Sequence, residues 1–431
     1  MQKLQNVYRH IAQYKLIYIG LIVNMLFYIS AYQTKWFSYF FTGPAVHYCC
    51  KGLDFYQIPN GAYAYLHGGS LTGLLKPGMY PYAEGVLVNP NVYHPLFTLL
   101  LGSVLILFKP GTAFYVWMFS KFFVMLALVF YFYRSFRESK FVFFALFTML
   151  INSAQYAEVA ISQFQFVLNV FLLLLLINLA RGGGKIAGGC YYFACLLVKP
   201  VGLLWLPVFF CKKQYKLAAF GLALFLLDTV IFLFNKAGNY YTDNLFLQLA
   251  SKATDGPPQI ITLATLLRFS AVLPDVAISG LRIVCLLTVV FLCSLKRVSI
   301  FKGIFLSSAY FLLFYDLVYE YHYTIMIPIL AVCLVTCEEF QTRVARTIIL
   351  LMCLPNAFFI LRAFRIGYYF DPYLGPMVTT LGWQLLVLSR VIPLIALVIW
   401  VVKPDVRPIY QNLKKLVLII RKANEALQLF G

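Results

Sequence analysis

IAGGCYYFACLLVKPVGLLWLPVFFC, residues 186–211, is apolar from end to end except for Lys199 and Pro200 at its middle. Basic residues stand on both sides of it, Arg181 and Lys185 before and Lys212, Lys213 and Lys216 after. A single membrane span would bury the lysine at the bilayer centre, at a cost of roughly 2.5–3.5 kcal/mol on insertion scales, and the proline would break the helix there. Lysine and arginine mark the cytoplasmic side of a span, so the two flanks share one face and an even number of crossings separates them. Two short helices joined at Lys199-Pro200 meet all of these constraints. At about 1.5 Å per residue each arm falls short of a full hydrocarbon core. Lys199 is therefore expected in a recess open to the outside, slightly below the membrane surface.

The same logic organises the rest of the chain. Of its 431 residues 62% are hydrophobic and 12% charged, against about 25% charged in soluble domains. Backbone groups in lipid must be satisfied internally, and the Phe/Leu-rich runs lack the alternation of a membrane barrel. The expected fold class is all-α, a polytopic membrane protein forming one membrane domain over 1–431. The formal net charge of +20 would suggest nucleic acid in a soluble chain. Here the excess Lys/Arg of cytoplasmic loops and their attraction to anionic lipid heads account for it, so membrane lipids and no nucleic acid are the expected partners.

Twelve spans are expected, at 16–32, 113–133, 141–158, 163–180, 186–198, 201–211, 217–234, 271–294, 300–316, 323–337, 345–361 and 383–402. The first reads as uncleaved, since no small-residue cleavage site follows the basic N-terminus. With twelve crossings every basic cluster falls on the N-terminal, cytoplasmic face, from Lys3/Arg9/Lys15 to the tail beginning at Lys403. Residues 95–108 also look like a span, yet counting them would flip every later cluster. They are expected instead as a helix dipping into the outer leaflet within a long external loop, 33–112. The tail, 403–431, alternates basic and apolar residues and reads as an amphipathic surface helix. Residues 1–235 with that loop form one module and 236–402 a second, more variable helical one. Lys121, Asp228 and Arg282 lie within spans, where snorkelling or pairing competes with a functional role. Most of the ten cysteines lie in apolar runs without metal-ligand spacing, and no cofactor or metal is expected; vicinal Cys49 and Cys50 stand apart from that pattern.

Polar chemistry collects on the outer side. Asp54 follows Gly52-Leu53 and precedes Phe55-Tyr56-Gln57, with Pro59 beyond. It can cap a helix with Gln57. If the helix starts instead at Pro59, as proline prefers, the carboxylate is free to act as a general base. Downstream come Tyr93-His94-Pro95-Leu96, Glu158, Ser162-Gln163-Phe164-Gln165, Lys199-Pro200 and Tyr319-Glu320-Tyr321-His322. This ordered set resembles membrane glycosyltransferases of the GT-C superfamily, and more narrowly glycosyltransferase family 87, the polyprenyl-phosphate-mannose-dependent mannosyltransferases. Asp54 matches a Gly-x-Asp-aromatic element. Tyr93-His94-Pro95-Leu96 matches a Tyr-Pro-Pro-Leu run with His94 for one proline. Ser162-Gln163-Phe164-Gln165 matches Gly-Gln-x-Asn with two substitutions, and Lys199-Pro200 a Lys-Pro element. The likeness covers 52–215 well and His322–Val335 loosely; the last hundred residues lie outside it.

The resemblance implies a GT-C-type fold and inverting transfer of a hexose, mannose first among candidates. The sugar would pass from a polyprenyl-phosphate donor to a lipid or glycan acceptor at the extracytoplasmic face, with Asp54 as base. Physical chemistry points the same way: a departing lipid phosphate gains charge and needs fixed cations in a low-dielectric recess. Lys199 is the first candidate for the donor phosphate, with His322 and Arg268 behind it. Tyr63, His94, Glu158, Gln163, Gln165 and Glu320 complete the substrate-binding candidates; an interfacial or packing role is the competing reading for the tyrosine and the histidine. A transporter or lipid flippase, or a surface-polysaccharide polymerase, remains an alternative. Neither accounts for a long first external loop joined to outward Asp54, Glu158, Lys199 and His322.

Overall fold

A computed structural model describes residues 2–33, 54–71, 73, 82–83, 91–234, 261–269, 272–315, 318–355 and 387–408. Cys49, Cys50 and most of the amphipathic tail lie outside the described residues. α1 (Gln2–Gln33) comes first, and a turn at Asp54 leads into the short α2 (Gln57–Leu66) and α3 (Pro95–Leu105). Then come α4 (Pro110–Phe136), α5 (Val142–Ile151), α6 (Ala154–Ile161), α7 (Gln165–Ala180) and α8 (Lys185–Val198). A 3-10 turn, Pro200–Trp205, continues into α9 (Leu206–Cys211) and is followed by α10 (Tyr215–Leu233). Beyond them lie α11 (Leu263–Phe269), α12 (Asp275–Ser294) and α13 (Ile300–Phe314). A second 3-10 turn, Glu320–Ile325, runs into α14 (Met326–Thr336), followed by α15 (Glu338–Gln341), α16 (Arg343–Cys353) and α17 (Val387–Pro408). No strand occurs among the described residues.

This is an all-helical protein of the membrane-embedded kind. α4, α10, α12 and α17 are long and apolar enough to cross a bilayer, and several apolar helices of 10–17 residues accompany them. Their outward faces are as apolar as their inward ones. Phe119, Phe123 and Phe130 on α4, Leu227 on α10, Leu287 on α12 and Ile399 on α17 are all more than half exposed. In water such surface would be a liability; in lipid it is the solvent-matched face.

The stretch 186–211 folds as its composition requires. α8 stops at Lys199, whose backbone is extended (φ −152°, ψ 133°), and Pro200 opens the next helical turn. The Tyr192 hydroxyl donates to the Gly202 carbonyl at 3.0 Å, and its ring meets Phe209 edge-on at 5.1 Å. The two arms therefore fold back on each other with Lys199 at the bend. α3, at 11 residues, is far too short to cross at about 1.5 Å per residue, and Gly102 lets it pack closely on Ile58 and Ala62 of α2.

Close helix contact in lipid depends on small residues. A Cβ on Gly221 of α10 would sit 2.7 Å from the Gly189 carbonyl of α8 and 2.7 Å from the Tyr192 ring. Gly221→Val is therefore expected to lower stability by about 1–3 kcal/mol, seen as earlier thermal unfolding in detergent. Gly111→Ala, where a Cβ meets open space, should leave the transition in place.

Contacts between helix ends fall into two sets. One joins Tyr14 to Tyr133 (3.2 Å), Lys185 to Gln214 (2.6 Å), Lys212 to the Leu295 carbonyl (2.8 Å) and Thr342 to Trp400 (2.9 Å). Lys302 belongs with it: rather than lying in an open basic cluster it is fully buried, 2.8 Å from Asp405 and also against Glu339. The other set joins the opposite ends, and it contains the polar cluster described next.

Candidate functional site

Asp54 stands in the turn ahead of α2. The helix begins at Gln57, two residues before Pro59, with Tyr56 at its cap position and no side-chain cap bond. Asp54 is thus neither a helix cap nor followed by a helix starting at Pro59. Its Oδ1 accepts from Gln57 Nε2 at 2.6 Å and its Oδ2 from Gln163 Nε2. Phe55 fixes the turn. It is fully buried, edge-on to Phe114 at 5.5 Å and stacked at 6.2 Å on Phe164.

Gln163 is locked in turn. Its Oε1 accepts from the Tyr93 hydroxyl and its carbonyl from Lys121 Nζ at 3.0 Å. Preceding it, Ser162 adopts a left-handed backbone (φ 56°) that closes α6 and throws the chain into α7. A non-glycine residue there costs on the order of 1 kcal/mol; the Ser162 hydroxyl bonds to the Val159 carbonyl at 3.0 Å and partly offsets it. Glu158, on α6, forms a buried ion pair with Lys121 at 2.9 Å, and the same oxygen accepts the Phe166 N–H at 3.2 Å.

Lys199 enters from the bend of the hairpin. Its Nζ lies 2.8 Å from His322 Nε2 and 4.9 Å from the centre of the Tyr321 ring. Burial pushes its amine down from the usual 10.5 to about 7, and the charges of Asp54 and Glu158 oppose that shift. The charge of Asp54 also acts on Tyr93 and Tyr321. Asp54, Glu158, Gln163, Lys199 and His322, drawn from four separate stretches, thus form one polar cluster under a mostly apolar shell. Asp54, Glu158, Gln163 and His322 are buried, whereas Lys199 is partly exposed.

Most of the remaining candidates are engaged elsewhere. His94 Nδ1 lies 3.0 Å from Asp228 on α10, and Nε2 3.4 Å from Thr229, so this histidine fastens α3 to α10. Arg268 pairs with Asp275 at 2.8 Å on the surface. Glu320 holds Arg390. Tyr63, partly exposed, lies against the His67 ring at 4.1 Å. Gln165 is buried, and its Oε1 has no hydrogen-bond partner among the described residues.

Arg390 was not among the charges singled out in the sequence, although a lone arginine inside the apolar run 383–402 is itself the signal. It donates to the Met352 and Leu354 carbonyls at 2.9 and 3.0 Å and to Ser153 at 2.9 Å, tying α17 and α16 to the start of α6. Tyr93 was quoted for its motif and not for its hydroxyl, which positions Gln163. A small, largely apolar cleft reaches Glu158 past Tyr28, Met125, Leu173 and Ile327. No three His, Cys, Asp or Glu side chains converge as a metal site among the described residues. No protein-family model matches this chain, and no curated protein does.

Proposed function

We propose that this protein is an inverting glycosyltransferase of GT-C type, with twelve crossings and both termini in the cytoplasm of a cell whose plasma membrane holds it. It moves a hexose, mannose first among candidates, from a polyprenyl-phosphate donor to a lipid or glycan acceptor on the extracytoplasmic side. Asp54 takes the proton of the acceptor hydroxyl as that oxygen attacks the anomeric carbon. Lys199 stabilises the phosphate as the sugar departs and its charge grows. Glu158 and Gln163 are positioning residues: Glu158 neutralises Lys121, and Gln163 aims Asp54.

The observation supporting this reading is that Asp54, held by Gln163, lies near enough for its charge to act on Lys199, although the two come from stretches far apart in the chain. The topology is supported by contacts near helix ends: Tyr14 with Tyr133, Lys185 with Gln214, Lys212 with the Leu295 carbonyl and Thr342 with Trp400 all join segments assigned to the cytoplasmic side. The polar cluster joins only ends assigned to the opposite side. His94 and Arg268, engaged with Asp228 and Asp275, take no part in binding phosphate in this proposal.

The purified protein, incubated with a panel of lipid-phosphate sugars and candidate acceptors, is expected to release lipid phosphate from at least one donor. If no donor in the panel is consumed while labelled lipid moves across proteoliposome membranes, the flippase alternative replaces this one.

A further inference from the structure

The contact between Lys199 and His322 fixes where protons sit. The Tyr319 backbone N–H points at His322 Nδ1 at 2.9 Å, and a backbone N–H can only donate. Nδ1 is therefore an acceptor without a proton, and a neutral imidazole must then carry its proton on Nε2. That Nε2–H faces Lys199 Nζ at 2.8 Å. An ammonium has three donors and no acceptor, so a hydrogen bond here requires Lys199 as an uncharged amine. Without a bound anion the principal cation candidate of the site is therefore neutral.

We propose that Lys199 and His322 form a proton-coupled anion site, in which binding of a lipid phosphodiester draws one proton from solvent onto Lys199. The inference rests on the glycosyl-transfer reading and adds to it a protonation step before chemistry. The proton enters as H⁺ from water, the amine lone pair of Lys199 takes it, and the ammonium turns its donors to the phosphate. His322 keeps its Nε2 proton, so its bond to Lys199 breaks and that N–H also becomes available to a phosphate oxygen. The Tyr319 bond to Nδ1 survives. No oxidant, metal or second substrate is needed.

The surroundings fit such a site. Around Lys199 stand Asp54 from the turn before α2, Glu158 from α6, and Tyr321 and His322 from the second 3-10 turn. Tyr319 stacks on the His322 ring at 5.8 Å and Phe311 of α13 meets it edge-on at 5.9 Å, fixing the imidazole plane. The lysine amine, lowered to about 7 by burial, is poised to change charge when an anion binds beside it. The sign follows directly. Above pH about 7 the free site lacks the proton that the bound site holds, so affinity falls as pH rises, approaching tenfold per unit. Below that pH both forms are protonated and affinity levels off.

The test is calorimetric binding of farnesyl methyl phosphate to the full chain in detergent at pH 8, in two buffers of different ionisation heat. This phosphodiester carries one negative charge across the range, so it contributes no titration of its own. Uptake of close to one proton, and its disappearance in Lys199→Arg, is the expected result, since a guanidinium stays charged. Binding without uptake, or uptake that persists in Lys199→Arg, overturns the proton-coupled site and leaves the glycosyl-transfer reading standing. Failure to bind at any pH overturns both. Dimethyl phosphate separates the sources of the anion: uptake with it too supports the site as a reader of phosphodiester alone, whereas uptake only with the farnesyl compound supports a lipid-bound one.

Discussion

Asp54→Asn is expected to abolish sugar transfer while leaving the protein folded, a loss of roughly a hundred- to ten-thousandfold in kcat, the range for removing a general base. The substitution is close to isosteric, and the site can absorb it. The new amide N–H₂ would face an amide donor from Gln57 or Gln163, but the Oε1 of Gln57 has no hydrogen-bond partner among the described residues. A flip of the Gln57 amide turns that oxygen toward the introduced N–H₂ and relieves the clash. Thermal unfolding should therefore stay near the wild-type value, and donor KM should change little. Retained activity would remove Asp54 from the base role.

Lys199→Met is expected to lower kcat/KM for the donor by about a hundred- to a thousandfold, as loss of a preorganised charged donor does. Part of the loss is in binding and part in the chemical step, because the phosphate gains charge as the glycosyl bond breaks. The acceptor KM should hold. The thioether matches the lysine stem in length and leaves the Tyr321 ring covered, although the His322 Nε2–H loses its partner. Lys199→Arg should keep more activity than Lys199→Met, with a flatter pH dependence above neutrality. Unchanged donor kinetics in Lys199→Met would contradict the phosphate role.

The fold was legible where one constraint admitted one answer. The break at Lys199-Pro200 followed from the cost of a buried lysine and from proline geometry, and the chain bends there. The short helix at Pro95 followed from counting sides. What escaped was pairing. Lys121, where snorkelling or pairing competes with a functional role, meets Glu158 from the outer end of the expected span 141–158. Arg390 and Glu320 meet across two helical runs, and Lys302 leaves its basic cluster for Glu339 and Asp405. Hydropathy reports the depth of a residue, while partners depend on the order in which helices pack, which local sequence does not encode.

The candidate site divides in the same way. Asp54 is held by Gln163, Lys199 lies against His322, and the charge of Asp54 acts on Lys199. His94, singled out with its motif, and Arg268, singled out by its outer position, are held by acids close to them in space. Outer position is a necessary condition for a site residue and a weak one. The more telling sign is a polar side chain under an apolar shell, held by neighbours that do no chemistry themselves, as Tyr93 and Gln57 hold Gln163 and Asp54.

The central claim is that one glycosyl phosphate lies between Asp54 and Lys199. A structure of the protein with a non-hydrolysable phosphonate analogue of a prenyl-phosphate hexose tests it most directly. The account predicts a phosphonate oxygen within about 3 Å of Lys199 Nζ, the Lys199–His322 contact opened, and the anomeric carbon turned toward the Asp54 carboxylate. An analogue bound outside this cluster, or bound with Lys199 still against His322 and Asp54 behind the sugar's leaving group, would contradict it.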